Sequence, residues 1–222
     1  MSDDPESTHT TTPQPGDARR FSPSAARNRE PIRTTFLAHM PHVGHILEIG
    51  SGTGEHGVHI TAMAPGLTWH FSDPDPEARA SIRAWIRHAA RPGLLGPYAL
   101  RADASDWGDA VEALTFDGIV AINVVHIAPF ETALGLFAGA RRRLEVGGRV
   151  FLYGPYARDG AMAPSNAAFS EQLRARDPRW GVRDLEREIV PAAVREGLVL
   201  HAVVDMPANN LCVVFEKSAL SR

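Results

Sequence analysis

A glycine-rich stretch, Ile46-Leu47-Glu48-Ile49-Gly50-Ser51-Gly52-Thr53-Gly54, contains the pattern that decides the fold. Its apolar first half predicts a short strand over residues 45–49, and the alternate glycines predict a sharp turn into a helix. Free N–H groups at the start of that helix favour a bound ligand at the turn. A pyrophosphate-binding G-x-G-x-x-G turn needs Gly or Ala at position 55, where Glu55 stands. The pattern is instead E-x-G-x-G-x-G, which disfavours a dinucleotide.

Short apolar runs alternate with amphipathic segments on both sides of this turn. Strands are predicted over residues 45–49, 67–72, 97–101, 117–123 and 149–153, with helices between them. This alternation is typical of a parallel sheet covered by helices on both faces. Two final strands, 198–205 and 210–216, are separated by four residues, too few for a crossover, so they predict an antiparallel hairpin. The fold class is therefore α/β and Rossmann-like, with a seven-stranded, mostly parallel sheet that ends in the hairpin.

Composition limits the partners of the chain. Residues 1–20 are polar and predict a disordered tail, which leaves residues 21–222 as one domain. The formal net charge is −3, without the concentrated basic face that binding to nucleic acid or an anionic membrane needs. The single cysteine, Cys212, cannot form an internal disulfide, and no apolar stretch approaches the roughly 18 residues of a membrane span. We expect a cytoplasmic protein, monomeric or homodimeric.

The stretch from Glu48 to Gly54 resembles the first motif of class I S-adenosylmethionine-dependent methyltransferases. The resemblance extends to Asp73, at the end of the second predicted strand, and to Asp103, just past the third. It implies that Asp73 accepts hydrogen bonds from both ribose hydroxyls and that Asp103 contacts the adenine amino group. It implies S-adenosylmethionine as the cofactor and these contacts with it: Arg27, Asn28, Glu48, Gly50, Ser51, Gly52, Thr53, Asp73, Pro74, Asp103, Ala104 and Asn123. Arg27 and Asn28 are assigned to the cofactor carboxylate, although Arg27 is equally well read as a surface arginine.

Six further motifs carry a closer resemblance, which covers roughly residues 21–217. The chain resembles the domain-of-unknown-function 938 family, which includes methyltransferase-like protein 26, in the stretches 22–28, 72–76, 153–156, 163–166, 177–181 and 206–211. The sequences at 177–181 and 206–211 are Asp-Pro-Arg-Trp-Gly and Met-Pro-Ala-Asn-Asn-Leu. One departure is Val124-Val125, where the family leads us to expect a bulkier Met-Leu pair. The pocket beside it is therefore expected to differ in shape.

The methyl acceptor is expected at the carboxyl ends of strands four and five. His126 is the candidate catalytic base, with a hydrogen bond to a loop carbonyl or to the cofactor as the alternative role. Residues at these strand ends and in the following loops are the substrate candidates, namely Tyr153, Tyr156, Ser165, Asn166 and Asn209. Ser165-Asn166 also read as a helix cap and Asn209-Asn210 as the hairpin turn. No metal site is predicted, because His56 and His59 lack further ligands.

These residues predict a methyltransferase that acts on a small-molecule acceptor through an O, N or S atom. Small molecules are preferred because no basic stripe is present and no Asn-Pro-Pro-Tyr motif follows the fourth strand. A non-catalytic S-adenosylmethionine-binding module that acts through a partner is the alternative. A nicotinamide oxidoreductase is a third possibility, which Glu55 disfavours.

Overall fold

The computed structural model describes residues 17–219, and they form one α/β unit built on a single twisted sheet. The strands are β1 (Val43–Ile49), β2 (Gly66–Ser72), β3 (Leu94–Tyr98), β4 (Phe116–Ile122), β5 (Leu144–Ala157), β6 (Arg183–Asp184), β7 (Leu198–Met206) and β8 (Asn210–Lys217). The helices are α1 (Pro23–His39), α2 (Glu55–Thr61), α3 (Pro76–Ala89), α4 (Asp109–Glu112), α5 (Phe130–Arg143), α6 (Pro164–Arg176) and α7 (Val190–Arg195), and a π-helical turn, Leu185–Ile189, precedes α7.

The main sheet has the strand order β3-β2-β1-β4-β5-β8-β7. The first five strands in this order are parallel, and β8 is antiparallel to both β5 and β7. The seven-stranded sheet and its terminal hairpin are therefore confirmed. The two-residue strand β6, which pairs with the end of β5, was not predicted. Strand order reverses between β1 and β4, and a crevice opens there at the carboxyl ends of parallel strands.

The core lies on both faces of the sheet. One cluster includes Phe116, Phe137 and Leu152, and the opposite cluster includes Phe36 and Trp69; all five side chains are fully buried. This two-sided burial explains the continuous apolar runs of the central strands. Helices on both faces hold the sheet rigid, so the loops at its carboxyl edge have a stable base. The helices formed by residues 17–219 are too short or too polar to span a bilayer.

The third strand begins and ends three residues earlier than predicted. It covers Leu94–Tyr98 instead of 97–101, and Leu94 pairs with Trp69 of β2. Pro97 lies inside the strand rather than at its start. A proline is tolerated there because β3 is an edge strand, where one side of the backbone needs no partner.

The N-terminal boundary also differs from the prediction. Residues 17–20 were assigned to a disordered tail, but in the structure they lie against α3. The backbone N–H of Arg20 donates to the Ser81 hydroxyl (2.8 Å), and the backbone carbonyl of Arg20 accepts from the Trp85 indole (3.0 Å). The Arg19 guanidinium also lies 4.9 Å from the Trp85 ring centre. These contacts fix residues 17–20, which therefore belong to the folded unit; the rest of the predicted tail lies outside the described residues.

Candidate functional site

The glycine turn between β1 and α2 forms the floor of the site. Gly50 and Gly52 have φ values of +65° and +56°, in the left-handed region that favours glycine. A Cβ on Gly50 would lie 2.9 Å from Val124, whereas a Cβ on Gly52 would meet no protein atom within 4 Å. Gly52 therefore leaves room for a ligand directly above the turn.

Asp73, the residue after β2, holds the glycine turn in place through hydrogen bonds. Its Oδ2 accepts from the Gly52 N–H and its Oδ1 from the Asp75 N–H, both at 2.9 Å. Its side chain is only 7% exposed, and burial is the main reason that its pKa lies above the usual value. A carboxylate has about four acceptor positions, so two remain for hydroxyl donors of a ligand.

A first cavity of about 570 Å³ opens above this turn. Five of the predicted cofactor contacts border it, namely Gly50, Gly52, Asp73, Pro74 and Asp103. The Asp103 carboxylate is paired with Arg101 at 2.7 Å, which holds its pKa below the usual value. Ala104 does not border the cavity, because its N–H closes a turn onto the Arg101 carbonyl and Ala102 takes the bordering place.

Three other predicted cofactor contacts, Glu48, Ser51 and Thr53, lie beneath the turn and border neither this cavity nor the second one described below. Glu48 is 1% exposed and accepts from the Trp69 indole (3.0 Å), and burial raises its pKa to about 7. The Ser51 hydroxyl donates to the Glu48 carbonyl (3.4 Å), and the Thr53 hydroxyl donates to Glu55 (2.8 Å). These side chains shape the turn rather than line the space above it.

Glu55 ties the N-terminal helix to the turn. Its Oε2 accepts from the Ser22 N–H (2.8 Å) as well as from Thr53. Ser22 is the N-cap of α1, so Glu55 places the first turns of α1 beside the crevice. The residue that argued against a pyrophosphate site thus has a structural function.

A second cavity, of about 660 Å³, lies on the α1 side of the crevice. Predicted cofactor and substrate residues meet there, namely Arg27, Asn28, Asn123, Tyr153, Ser165 and Asn166. Asn28 is held by His56, with 2.9 Å between Oδ1 and Nε2. Asn123 has a φ of +59°, a strained value for a residue with a side chain. The residues that border the second cavity thus come from segments more than a hundred residues apart in the chain.

His126 borders the second cavity but is fully buried, and both of its ring nitrogens lie below the surface without a hydrogen-bond partner. Its ring packs on Gly154, where a Cβ would come within 1.9 Å, and edge-on against Tyr156. Burial, with a smaller contribution from the Arg183 charge, lowers its pKa to about 3. The ring is therefore neutral near pH 7 and a weak base, and its nitrogens lie below the cavity surface. The geometry gives the predicted general base no support, and that role stays a prediction.

Two of the predicted substrate residues lie elsewhere. Tyr153 and Pro155 border the second cavity, whereas Tyr156 packs in the core cluster on the opposite face of the sheet. Successive residues of a strand alternate between faces, so positions 153 and 156 cannot share one. Asn209 braces the hairpin against α6 by donating to the Ser165 hydroxyl (3.0 Å) and accepting from Asn166 at its carbonyl (2.9 Å). Tyr156 and Asn209 both border a different cavity, of about 410 Å³.

Three apolar residues that border the crevice were not predicted as site residues. Trp180 closes the first cavity, Phe169 borders the second, and Ile127, 44% exposed, borders both. Arg183 holds two of their loops together, because its guanidinium donates to the carbonyls of Val125 (3.1 Å), Ala128 (2.9 Å) and Arg179 (2.7 Å). The motif at 177–181 was the available signal for Trp180. Nothing local marked Phe169 or Ile127.

Within residues 17–219, no group of three or more His, Cys, Asp and Glu side chains is arranged to hold a metal ion. His56 contacts Asn28, and His59 lies 2.8 Å from Glu30. The two histidines therefore connect α2 to α1.

The fold and the crevice define a Rossmann-like protein with the class I methyltransferase architecture. The chain matches, over residues 19–217, the family described as a protein of unknown function (DUF938), and it belongs to that family.

Solved structures with the same fold include methyltransferases. An O-methyltransferase family protein from Burkholderia thailandensis superposes with a TM-score of 0.73 at 14% identity, covering 89% of this chain and 57% of that one. An O-methyltransferase family 2 protein from Planctomyces limnophilus, in complex with apigenin, gives 0.72 at 18% identity, covering 87% and 60%. Human N-acetylserotonin methyltransferase in complex with S-adenosylmethionine gives 0.69 at 12% identity, covering 88% and 53%. The chain thus spans little more than half the length of these proteins, and at such identities the likeness shows the fold alone.

Proposed function

We propose that this protein transfers a methyl group from S-adenosylmethionine to a small-molecule acceptor. The observation that carries the proposal is the Asp73 carboxylate, which grips the Gly52 N–H and faces the first cavity with acceptor positions to spare. A carboxylate beside a glycine turn, at the carboxyl edge of parallel strands, suits a nucleoside with two ribose hydroxyls. Two methyltransferases of the same fold were solved with S-adenosylmethionine and with the small molecule apigenin, which supports the proposal.

In the proposed complex, the side chains contact the cofactor in a defined order along the crevice. Asp73 receives the ribose hydroxyls, Asp103 lies near the adenine amino group, and Gly50 and Gly52 leave the space between them open. Asn28, Asn123 and Arg27, in the second cavity, receive the amino-acid end. The bound cofactor supplies a methyl group that is already electrophilic. The protein then has to orient the acceptor and exclude water.

The second cavity is the proposed acceptor site. Tyr153, Ser165 and Asn166 offer hydrogen-bonding groups, and Phe169 and Ile127 offer apolar surface. A cavity of about 660 Å³ with this mixture suits a small molecule. The proposal includes a relation to methyltransferase-like protein 26. It also includes a cytoplasmic location and a monomeric or homodimeric state.

A matched pair of glycine variants tests cofactor binding. Gly52 and Gly147 both have positive φ (+56° and +81°), and a Cβ on either meets no protein atom within 4 Å. Only Gly52 borders the first cavity. Both substitutions by alanine therefore cost similar backbone strain, on the order of 1 kcal/mol, but only Gly52→Ala places a methyl group in the proposed cofactor space.

We expect isothermal titration with S-adenosylhomocysteine to show at least tenfold weaker binding for Gly52→Ala and unchanged binding for Gly147→Ala. Equal affinities for the two variants would contradict the proposed position of the cofactor. Failure of the wild-type protein to bind S-adenosylhomocysteine or S-adenosylmethionine at millimolar concentration would overturn the proposal.

A non-catalytic S-adenosylmethionine-binding module remains the second candidate. The buried ring nitrogens of His126 favour it, because the proton-accepting atoms of the predicted base lie below the cavity surface. Single-turnover release of S-adenosylhomocysteine with thiol, amine, carboxylate and thioether acceptors separates the two. Tight cofactor binding with no product from any acceptor supports the module.

A further inference from the structure

The charged groups around the second cavity are unevenly distributed. Among the residues that the structure describes, none that borders this cavity is Asp or Glu, and Arg27 is the single residue with a formal charge. Within residues 17–219 the hydrogen-bond partner of the Arg27 guanidinium is the Ser24 hydroxyl in its own helix (3.4 Å). The one formal charge at this cavity is therefore positive, and it is carried by an exposed side chain.

The N-terminal end of helix α1 also faces this cavity, since its N-cap, Ser22, and Ser24 both border it. A helix N-terminus carries roughly half a positive charge. The Glu55 carboxylate, which accepts from the Ser22 N–H (2.8 Å) without bordering the cavity, offsets that charge, so the helix adds no net positive charge there. S-adenosylmethionine bound in the proposed position brings a net positive charge, because its sulfonium and ammonium groups outnumber its single carboxylate. This holds whether or not that carboxylate contacts Arg27.

Among residues 17–219, no side chain at this cavity is suited to accept a proton at neutral pH. The His126 ring nitrogens are buried and its pKa is lowered to about 3. Tyr153 is 4% exposed, and burial raises its pKa further, so its phenol stays protonated.

The neighbouring carboxylates lie outside this cavity. Asp73, Asp103, Glu131 and Asp177 border the first cavity, and of these Asp103 and Asp177 are paired with arginines that lower their pKa. Glu48 lies beneath the glycine turn against Trp69 and borders neither cavity. An acceptor that must lose its proton to the protein therefore finds no base beside it.

We infer that the acceptor enters the second cavity already ionised, as a carboxylate, thiolate or acidic phenolate, and that the protein provides no general base. The inference rests on the proposed methyl transfer. The anionic atom of the acceptor forms the bond to the methyl carbon, and the carbon–sulfur bond breaks with its electron pair going to sulfur. The negative charge of the acceptor and the positive charge of the sulfonium cancel, and no proton has to move. Protonated amines are disfavoured, since their charge repels both the Arg27 guanidinium and the sulfonium.

Five compounds with one aromatic body test the charge preference by binding. They are 4-nitrophenol, 4-nitrothiophenol and 4-nitrobenzoate, which ionise near or below neutral pH, and 4-nitrobenzyl alcohol and 4-nitrobenzylamine, which form no anion there. The protein is first saturated with S-adenosylhomocysteine, so that a failure of cofactor binding is seen separately. We expect the three anions to bind at least tenfold more tightly than the alcohol and the amine.

The absorption of 4-nitrophenol reports its ionisation state directly. At a pH below the pKa of the free phenol, binding is expected to increase the phenolate band. His126→Gln and Tyr153→Phe remove the two groups at the cavity that could take the proton. Tyr153→Phe also removes a hydrogen-bonding group of the proposed acceptor site and is expected to weaken binding, but in both variants the 4-nitrophenol that binds is expected to be the phenolate. Two variants are used because the buried His126 substitution risks misfolding.

A preference for the amine or alcohol, binding of 4-nitrophenol without more phenolate, or binding of none of the five compounds overturns the inference. Binding of 4-nitrophenol in its protonated form to a folded Tyr153→Phe protein also overturns it. If S-adenosylhomocysteine itself does not bind, the proposed function fails first. We also expect the protein to methylate the anions. The pH at which the methylation rate is half-maximal should change with the pKa of each acceptor and not stay at one fixed value.

Discussion

Replacing Asp73 by alanine separates a structural from a ligand-binding function at one carboxylate. In the structure this side chain accepts two backbone N–H groups, from Gly52 and Asp75. In the proposed complex it also accepts the two ribose hydroxyls. Hydrogen bonds to a charged group are worth about 1.5–3 kcal/mol, so we expect Asp73→Ala to weaken the affinity for S-adenosylhomocysteine by about that amount, or about 10- to 150-fold in Kd.

The chain offers a matched control at Asp184. This side chain is also 7% exposed and also accepts two backbone N–H groups, from Arg187 (2.9 Å) and Gly160 (2.6 Å). It borders neither the first nor the second cavity. Asp184→Ala is therefore expected to lower the free energy of unfolding as much as Asp73→Ala does, by about 1–3 kcal/mol, and to leave the Kd unchanged.

The assay combines isothermal titration with S-adenosylhomocysteine at 25 °C and thermal unfolding of the same protein samples. Titrations are made well below each melting temperature, so that both variants are folded. If Asp73→Ala loses stability but binds with the wild-type Kd, the carboxylate only supports the turn and the ribose assignment is wrong. If both variants bind more weakly by the same factor, the loss reflects general loosening of the fold.

Two further predictions concern the loops around the crevice. The pKa of His126 is about 3 in the folded protein against an ordinary 6.5, so between pH 6.5 and 5 the unfolded chain takes up a proton that the folded protein does not. Urea unfolding is expected to show that wild type loses roughly 1.5 kcal/mol more stability over this range than His126→Leu; equal losses would contradict the neutral, buried ring. Arg183→Met removes the donors that join the loops bearing Ile127 and Trp180, and we expect the Kd for S-adenosylhomocysteine to rise about threefold or more. The control is Arg158→Met, which breaks an exposed ion pair with Glu186; neither residue borders the first or the second cavity. An unchanged Kd in both variants would show that the hydrogen bonds of Arg183 do not shape the site.

Much of the cofactor half of the site was predictable because its determinants are local. The strand, the three glycines and the following helix are consecutive in the chain, and Asp73 ends the next strand along. Parallel strands bring their carboxyl ends to one edge, so these residues had to meet. The same local spacing gave the terminal hairpin, since four residues permit only an antiparallel return.

The acceptor half depended on contacts that local patterns do not encode. The sequence placed His126, Tyr153 and Tyr156 near the correct strand ends, and the alternation of strand residues already separates Tyr153 from Tyr156. Only the packing of β5 between two cores decided that the face of Tyr153 borders the second cavity. Burial of His126 against Gly154 likewise arises between segments nearly thirty residues apart. The sequence by itself determined the sheet, its glycine turn and the carboxylate above it, because each follows from short-range periodicity. The tertiary structure decided which polar groups face open space, because the cost of burying a polar group depends on neighbours that are distant in the chain.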